Sequence, residues 1–156
     1  MAINFHPSLL PNYSGSTPVE YALLNGETET GITFIKISPT FDSGEIIYQE
    51  KVPILDSDNR LTLYKKLFNL GAQKALDLLS QESFTLTPQP QLPHAVRSHK
   101  LSRQDGFIEH SEYQKFLNTG YWTLNIERAL RAYAGWPGVW TLDPQNKRII
   151  LSSSSK

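Results

Sequence analysis

The sequence predicts an α/β fold, and three features of its first half carry this prediction. A short apolar segment, residues 2–5, ends before Pro7, which cannot donate to a sheet ladder. Two segments, 31–37 and 45–52, are rich in β-branched residues and alternate with period two, as strands do. Apolar residues then recur at helical spacing along residues 60–81. Strands followed by a long amphipathic helix are typical of an α/β segment.

The other elements of the first half follow from turn residues and helix-start residues. Residues 7–17 are predicted to form a loop. Thr17-Pro18 starts a short helix over residues 18–25, because proline is favoured at the first helical position. The apolar stripe of the long helix is expected to supply core and not a cofactor site. Its members are Leu63, Tyr64, Leu67, Phe68, Gly71, Ala75, Leu78 and Leu79.

The second half begins with a proline-rich segment, residues 84–97, which is predicted to be an extended and fairly stiff connector. We therefore divide the chain into residues 1–83, this connector, and a second small unit, residues 98–156. The elements predicted in that unit are helices at about 111–118 and 123–134 and strands at 138–142 and 147–151. Three tryptophans are expected to supply core area, with stacking on an RNA base as the functional alternative. They are Trp122, Trp136 and Trp140.

Composition narrows the class of protein. The chain has 156 residues and no cysteine, which excludes disulfides, thiol catalysis and cysteine-based zinc sites. No apolar run is long enough to span a bilayer and no signal peptide is recognisable, so we expect a cytoplasmic protein. Residues 1–93 hold 6 basic and 10 acidic side chains, and residues 94–156 hold 9 and 5. The basic excess suits a phosphate backbone, although an ordinary solvated surface explains it equally well. The side chains concerned are Arg97, Lys100, Arg103, Lys115, Arg128, Arg131, Lys147 and Arg148.

Asn4 and His6 form the first candidate site. Residues two apart in a strand point to the same face, so the amide and the imidazole are predicted to project side by side. They also lie at the carboxyl end of the strand, where open α/β sheets place their ligand crevices. For an isolated Asn-x-His pair, a simple strand end bonded to loop backbone is the better explanation.

The surrounding sequence resembles a known family. Asn4-Phe5-His6-Pro7-Ser8-Leu9-Leu10-Pro11 and the later Phe41-Asp42-Ser43-Gly44 resemble the formyltransferases that use 10-formyltetrahydrofolate. Within that family the chain is most similar to the methionyl-tRNA formyltransferase branch. The segments that carry this similarity are residues 17–26, 29–33, 44–49, 100–106 and 131–138.

The resemblance implies a fold and a site. It implies the second half of a Rossmann-like catalytic domain, followed by the start of a small barrel-like, tRNA-binding-like domain, so we expect a fragment truncated at both ends. It implies catalytic roles for Asn4, His6 and Asp42. The first two would donate hydrogen bonds to the oxyanion, and Asp42 would hold the imidazole as a cation and take the proton of the attacking amine. Folate contacts are implied for the loop of Ser8, Leu9, Leu10 and Pro11, although Leu9 and Leu10 are equally explained as buried anchors.

The implied reaction transfers formyl from 10-formyltetrahydrofolate to initiator methionyl-tRNA at the start of translation. We expect a monomer that uses no metal and no membrane. Three alternatives stay open: a sugar-nucleotide N-formyltransferase, a formyltetrahydrofolate hydrolase, and a non-catalytic binding or remnant module. Ser14 stands where the branch often has arginine, which weakens any acceptor contact there. The remaining histidines, His94, His99 and His110, are interpreted as surface or connector residues.

Overall fold

The computed structural model describes residues 2–152, so Met1 and the end of the serine-rich tail, residues 153–156, lie outside the described residues. In chain order the elements are β1 Ile3–His6, β2 Ser14–Gly15, α1 Pro18–Asn25, β3 Glu29–Lys36, β4 Ile46–Pro53, α2 Arg60–Leu79, β5 Arg97–Ser98, a 3₁₀ turn Arg103–Gly106, α3 His110–Thr119, α4 Leu124–Ala132, β6 Val139–Leu142 and β7 Arg148–Leu151. Among these residues no helix is both long and apolar enough to cross a membrane.

The main sheet has three strands in the order β1, β3, β4, and both pairs are antiparallel. The register sets Phe5 opposite Phe34, and the Phe5 ring packs against Phe34 and against Phe68 of α2. Helix α2 therefore covers the face of β1 that carries Phe5. Because side chains alternate along a strand, Asn4 and His6 point to the opposite face. The sheet thus separates core from candidate site.

Polar contacts join helix α1 to helix α2, and helix α4 to the loop before α2. Glu20 of α1 is 2% exposed, and the Arg60 Nε at the start of α2 donates to its carboxylate at 2.7 Å. Arg131 of α4 donates from Nε to the Asp58 carbonyl at 2.7 Å and from Nη2 to the Leu55 carbonyl at 2.8 Å. The second unit is therefore docked onto the loop before α2. Helices α1 and α4 contact each other directly.

The predicted elements agree with the observed ones to within one or two residues at most ends, and the mixed α/β class is confirmed. The two-residue strands β2 and β5, which pair with each other in parallel, were not predicted. Residues 98–152 form helices and the β6–β7 hairpin without a closed barrel.

Some residues predicted to lie in the core are exposed. Phe68 and Leu79 of α2 are 53% and 79% exposed, because they lie at the edge of the helix face that covers the sheet. Trp136 is 42% exposed, so the expectation that it supplies core is wrong. Trp122 stacks on Phe116 and Trp140 packs against Phe107.

Candidate active site

The structure brings the three predicted side chains, Asn4, His6 and Asp42, together. Asn4 Nδ2 donates to Asp42 Oδ1 at 3.4 Å, and His6 Nδ1 lies 3.6 Å from Asp42 Oδ2. The side chains of His6 and Asp42 are each 5% exposed. The strand supplies the first two residues, and the turn between β3 and β4 supplies the third. An amide, an imidazole and a carboxylate therefore share one small volume.

His6 uses both ring nitrogens within the protein. Nε2 lies 2.9 Å from the backbone carbonyl of Tyr13, and since a carbonyl only accepts, Nε2 must carry a proton. Nδ1 faces the Asp42 carboxylate, which is also an acceptor when ionised. An imidazolium complements both neighbours, by a hydrogen bond at Nε2 and by an ion pair at Nδ1, where 3.6 Å is too long for a hydrogen bond. The charged donor expected at this position is thus compatible with the geometry, but its Nε2 proton is directed at Tyr13.

Asp42 is held by a second loop. The backbone N–H of Gly15 donates to Asp42 Oδ2 at 2.8 Å. Gly15 has φ +116°, and a Cβ added there would lie 2.1 Å from the Ser98 carbonyl oxygen. Only glycine fits this position, because both the backbone conformation and the close approach of β5 exclude a side chain. The contact between β2 and β5 therefore sets the position of the Gly15 N–H that binds the carboxylate.

Tyr13 was not predicted as a site residue, but its backbone holds His6. It adopts a left-handed conformation with φ +60°, which is uncommon for a bulky residue. Its phenol donates to the Glu27 carboxylate and accepts from Asn25 Nδ2 at 3.1 Å. Burial, and then the bond to Glu27, raise the pKa of Tyr13 to about 12. The phenol is thus anchored at the end of α1, which fixes the carbonyl that accepts from His6.

The predicted folate loop divides into buried and accessible residues. Ser8 is fully buried, and its Oγ donates to the Asn12 carbonyl at 2.7 Å. Leu10 is 2% exposed and therefore acts as an anchor. Leu9 packs over Gly31 and is partly exposed. Pro11 follows a cis peptide bond and lines a cavity. Leu9 and Pro11 are the members of this loop that a ligand can contact.

Thr33 and Gln49 are further residues that sequence reasoning missed. The Thr33 hydroxyl donates to the Ser8 carbonyl at 2.6 Å and accepts from the Leu10 N–H at 3.2 Å. Gln49 Nε2 donates to the Leu10 carbonyl at 3.0 Å and to Thr33 Oγ1 at 2.9 Å. Thr33 and Gln49 lie in segments whose pattern predicts only strands. What marks them as site residues is their position beside the end of β1, which the sequence does not show.

Two cavities differ in how close their lining residues lie to Asn4, His6 and Asp42. The cavity beside the Asp42 turn has a volume of about 360 Å³ and is lined by Pro11, Ser43, Glu45 and residues 88–92 of the connector. A larger one, about 730 Å³, lies between the α1–β3 turn and helices α3 and α4. Neither cavity is lined by Asn4, His6 or Asp42 themselves, but the smaller one is lined by Ser43, the chain neighbour of Asp42, and by Pro11 of the loop after β1. We therefore associate the candidate site with the smaller cavity, on chemical grounds.

The remaining histidines lie in the connector and in residues 98–152. His94 and His99 are exposed, and His110 contacts Gln114. Within residues 2–152 no group of three or more histidine and acidic side chains is suited to a metal ion.

Of the basic residues, Arg131 points inward to backbone carbonyls, and Lys115 pairs with Glu112. Arg148 lies over the Trp140 ring, 4.6 Å from its centroid. Arg128 is half-buried, with its guanidinium beside Gly26. The other members of the set, Arg97, Lys100, Arg103 and Lys147, are exposed.

Comparison with known proteins gives consistent results. The formyl transferase family matches residues 1–79. A methionyl-tRNA formyltransferase of Roseiflexus castenholzii is 40% identical over 141 residues, which is 89% of this chain and 42% of that protein. One from Listeria monocytogenes serotype 4a is 37% identical over 142 residues, covering 90% of this chain and 43% of that protein. The chain thus spans about two fifths of the length of these relatives.

Solved structures share the fold at low identity. A 4-N formyltransferase from Francisella tularensis superposes with a TM-score of 0.73 at 21% identity, covering 96% of this chain and 60% of that chain. HypX from Aquifex aeolicus, solved in complex with tetrahydrofolic acid, gives a TM-score of 0.72 at 18% identity, covering 96% and 25%. The similarity to these structures extends beyond the 79 residues matched by the family. The chain belongs to the formyl transferase family.

Proposed function

We propose that this chain carries the formyl-transfer site of a methionyl-tRNA formyltransferase. The reaction moves the formyl group of 10-formyltetrahydrofolate to the α-amino group of initiator methionyl-tRNA, a one-carbon transfer in the cytoplasm at the start of translation. The observation that carries the proposal is the convergence of Asn4, His6 and Asp42 on one another. The relatives at about 40% identity support this choice of acceptor.

Asn4 and His6 stabilise the charge that develops on the formyl oxygen. Attack by an amine turns the formyl carbon tetrahedral and places negative charge on its oxygen, so donors aimed at that oxygen lower the barrier. The Asn4 amide has two N–H groups, of which one is directed at Asp42. The Nε2 proton of His6 now bonds to the Tyr13 carbonyl, so a formyl oxygen would replace that carbonyl as its acceptor.

Asp42 serves as the proton acceptor. The incoming ammonium loses a proton to the carboxylate, directly or through a water molecule. The amine nitrogen then bonds to the formyl carbon and gives up its second proton, the bond between that carbon and N10 breaks, and N10 gains one proton in exchange as tetrahydrofolate leaves. No metal and no covalent enzyme intermediate enters these steps.

The rest of the chain has matching proposed roles. Residues 1–83 form the second half of a Rossmann-like catalytic domain, with Leu9 and Pro11 bordering the folate. Residues 98–156 begin a small barrel-like domain that contacts the tRNA through its exposed cations. The acting species is proposed to be a monomer.

A sugar-nucleotide N-formyltransferase is the second candidate. The solved structures with the same fold include a likely sugar N-formyltransferase from Mycobacterium tuberculosis, at a TM-score of 0.71 and 20% identity. The chemistry at the formyl carbon is the same in both candidates, so the three side chains do not distinguish them.

The test uses the native polypeptide that contains this sequence. It is incubated with 10-formyltetrahydrofolate and, in separate reactions, with initiator methionyl-tRNA, with an amino sugar nucleotide, and without an acceptor. Formyl-methionyl-tRNA as the product supports the proposal, and a formylated sugar supports the second candidate. Release of formate without an acceptor indicates a hydrolase, and no turnover in any reaction contradicts the assignment.

Two variants make the site assignment specific. Asp42→Asn should lower kcat about 10⁴-fold, as loss of a triad-type carboxylate does, with the fold unchanged. The matched control is Asp56→Asn, an exposed carboxylate remote from Asn4 and His6, which should keep the wild-type rate. A rate for Asp42→Asn close to that of the control would remove Asp42 from the mechanism.

A further inference from the structure

The connector runs along both loops that form the candidate site. At its start, Thr87 exchanges backbone hydrogen bonds with Ile46 of β4, at 2.7 and 2.9 Å. Towards its end, the Val96 carbonyl accepts from the Tyr13 N–H at 2.6 Å. Strand β5 then pairs in parallel with β2, which contains Gly15. One segment thus touches the strand that leaves the Asp42 turn and the loop that holds the carboxylate.

Gln89 is the connector residue that forms hydrogen bonds with the Asp42 turn. Its Nε2 donates to the Asp42 carbonyl at 2.7 Å and to the Gly44 carbonyl at 2.9 Å. Because both partners are carbonyl oxygens, the amide must present its nitrogen to them, and both hydrogens of that nitrogen are used. Gln89 therefore bonds the turn on either side of Ser43.

Within the turn, the Ser38 and Ser43 hydroxyls donate to the Thr40 carbonyl at 2.8 and 3.0 Å, but neither of these bonds holds the Asp42 or Gly44 backbone. Asp42 has φ +52°, a left-handed conformation that a residue with a side chain adopts only at some cost. Inside the turn, the Ser43 N–H reaches the Thr40 carbonyl at 3.4 Å, which is long for a backbone hydrogen bond. The two bonds from Gln89 are shorter and come from a segment more than forty residues away.

We propose that Gln89 is a positioning residue that keeps the Asp42 carboxylate on the Gly15 N–H and beside His6. It touches only backbone of the turn, so it acts through Asp42 and not on the reacting atoms. Pairing of β5 with β2 fixes the Gly15 side of the same contact. The catalytic consequence rests on the proposed function, whereas the effect on the Asp42–Gly15 contact does not.

The first test is amide hydrogen exchange at Gly15, whose N–H is bonded to Asp42. Gln89→Met keeps the length of the side chain and removes both donors. Gln89→Glu also keeps the length and removes both donors, and it places a carboxylate next to two carbonyl oxygens. Loss of two neutral hydrogen bonds should speed exchange at Gly15 about 10- to 100-fold. The matched control is Gln81→Met, because Gln81 is an exposed amide that does not line the smaller cavity and donates no bond to the turn within the described residues.

The second readout separates positioning from general stability. A merely structural role would lower the unfolding midpoint and speed exchange throughout the main sheet, whereas positioning changes exchange at Gly15 and in the Asp42 turn. In formyl transfer we expect kcat to fall about tenfold with the KM for the donor unchanged.

Three outcomes overturn the inference. They are equal Gly15 exchange in Gln89→Met and Gln81→Met, acceleration spread evenly over the sheet, and a kcat equal to that of the control. Absence of formyl transfer by the wild-type protein would contradict the proposed function alone, since the exchange measurement needs no turnover.

Discussion

Thr30 and Thr33 lie on the same strand, and both are buried, but only one hydroxyl is bonded. Thr33 Oγ1 has three partners: the Ser8 carbonyl at 2.6 Å, Gln49 Nε2 at 2.9 Å and the Leu10 N–H at 3.2 Å. Thr30 Oγ1 has no hydrogen-bond partner among residues 2–152. Valine keeps the shape of threonine without its hydroxyl. Replacing each residue with valine therefore tests whether hydrogen bonding or shape holds the loop after β1.

The two valine substitutions are expected to differ in their effect on the free energy of unfolding. Thr33→Val leaves the Ser8 carbonyl and the Leu10 N–H buried and unpaired, while Gln49 keeps its bond to the Leu10 carbonyl. Each orphaned group costs about 1–3 kcal/mol, so the free energy of unfolding should fall by about 2–6 kcal/mol. Thr30→Val removes a hydroxyl that is desolvated without compensation. Its free energy of unfolding should stay unchanged or rise by about 1 kcal/mol.

Urea unfolding of the full chain, followed by circular dichroism, measures both changes. The control is Thr33→Ser, which keeps the hydroxyl, loses one methyl group and should cost about 1 kcal/mol. In thermal melts, each kcal/mol corresponds to roughly 2–4 °C for a chain of this size. Equal losses for Thr30→Val and Thr33→Val would refute the reasoning, as would a Thr33→Ser variant as unstable as Thr33→Val.

Three further predictions concern stability. Glu20→Ala breaks a buried ion pair and should lower the free energy of unfolding by about 3 kcal/mol in urea titrations; a loss under 1 kcal/mol would make the pair irrelevant. The pKa of Tyr13 is raised to about 12 by burial and a carboxylate partner, so the unfolded chain ionises first and stability falls from pH 10 to about pH 12. Urea midpoints over that range should fall less steeply for Tyr13→Phe than for the wild type, and an unchanged slope would argue against this linkage. The control Tyr121→Phe removes an exposed phenol and should leave the slope as it is. Gly71→Ala places a Cβ 2.3 Å from the Phe5 ring and should lower the melting temperature despite the better helix propensity of alanine; a higher melting temperature would show that the ring moves aside.

Local structure was predictable where one short segment decides it. Thr17-Pro18 fixes the start of α1 without reference to the rest of the chain, and the observed helix begins at Pro18. Strands β2 and β5 lie more than eighty residues apart, and each has only two residues. Neither shows a period of its own, because each is a strand only when paired with the other. The predicted burial of Trp136 is wrong for a related reason, since a large aromatic ring does not by itself dictate burial.

The sequence predicts which side chains of the candidate site come together, but not the backbone groups that hold them in place. Period two in β1 places Asn4 and His6 on one face, and both reach the Asp42 carboxylate. The acceptor for His6 Nε2 is a backbone carbonyl, and every residue has one, so no sequence pattern identifies Tyr13. The roles of Asn4, His6 and Asp42 in catalysis remain predictions.

The contacts of the connector constrain the two units proposed for this chain, residues 1–83 and 98–156. It is bonded to the main sheet at Thr87 and to the site loop at Val96, and β5 extends the second contact. The proposed second unit begins within that strand, at Ser98, and its Arg131 bonds to the loop before α2. A segment anchored at both ends holds its neighbours at fixed distances and does not act as a flexible tether. In the proposed function, an acceptor bound by the second unit would therefore meet Asp42 in one orientation. The same contacts that position the carboxylate would position the acceptor.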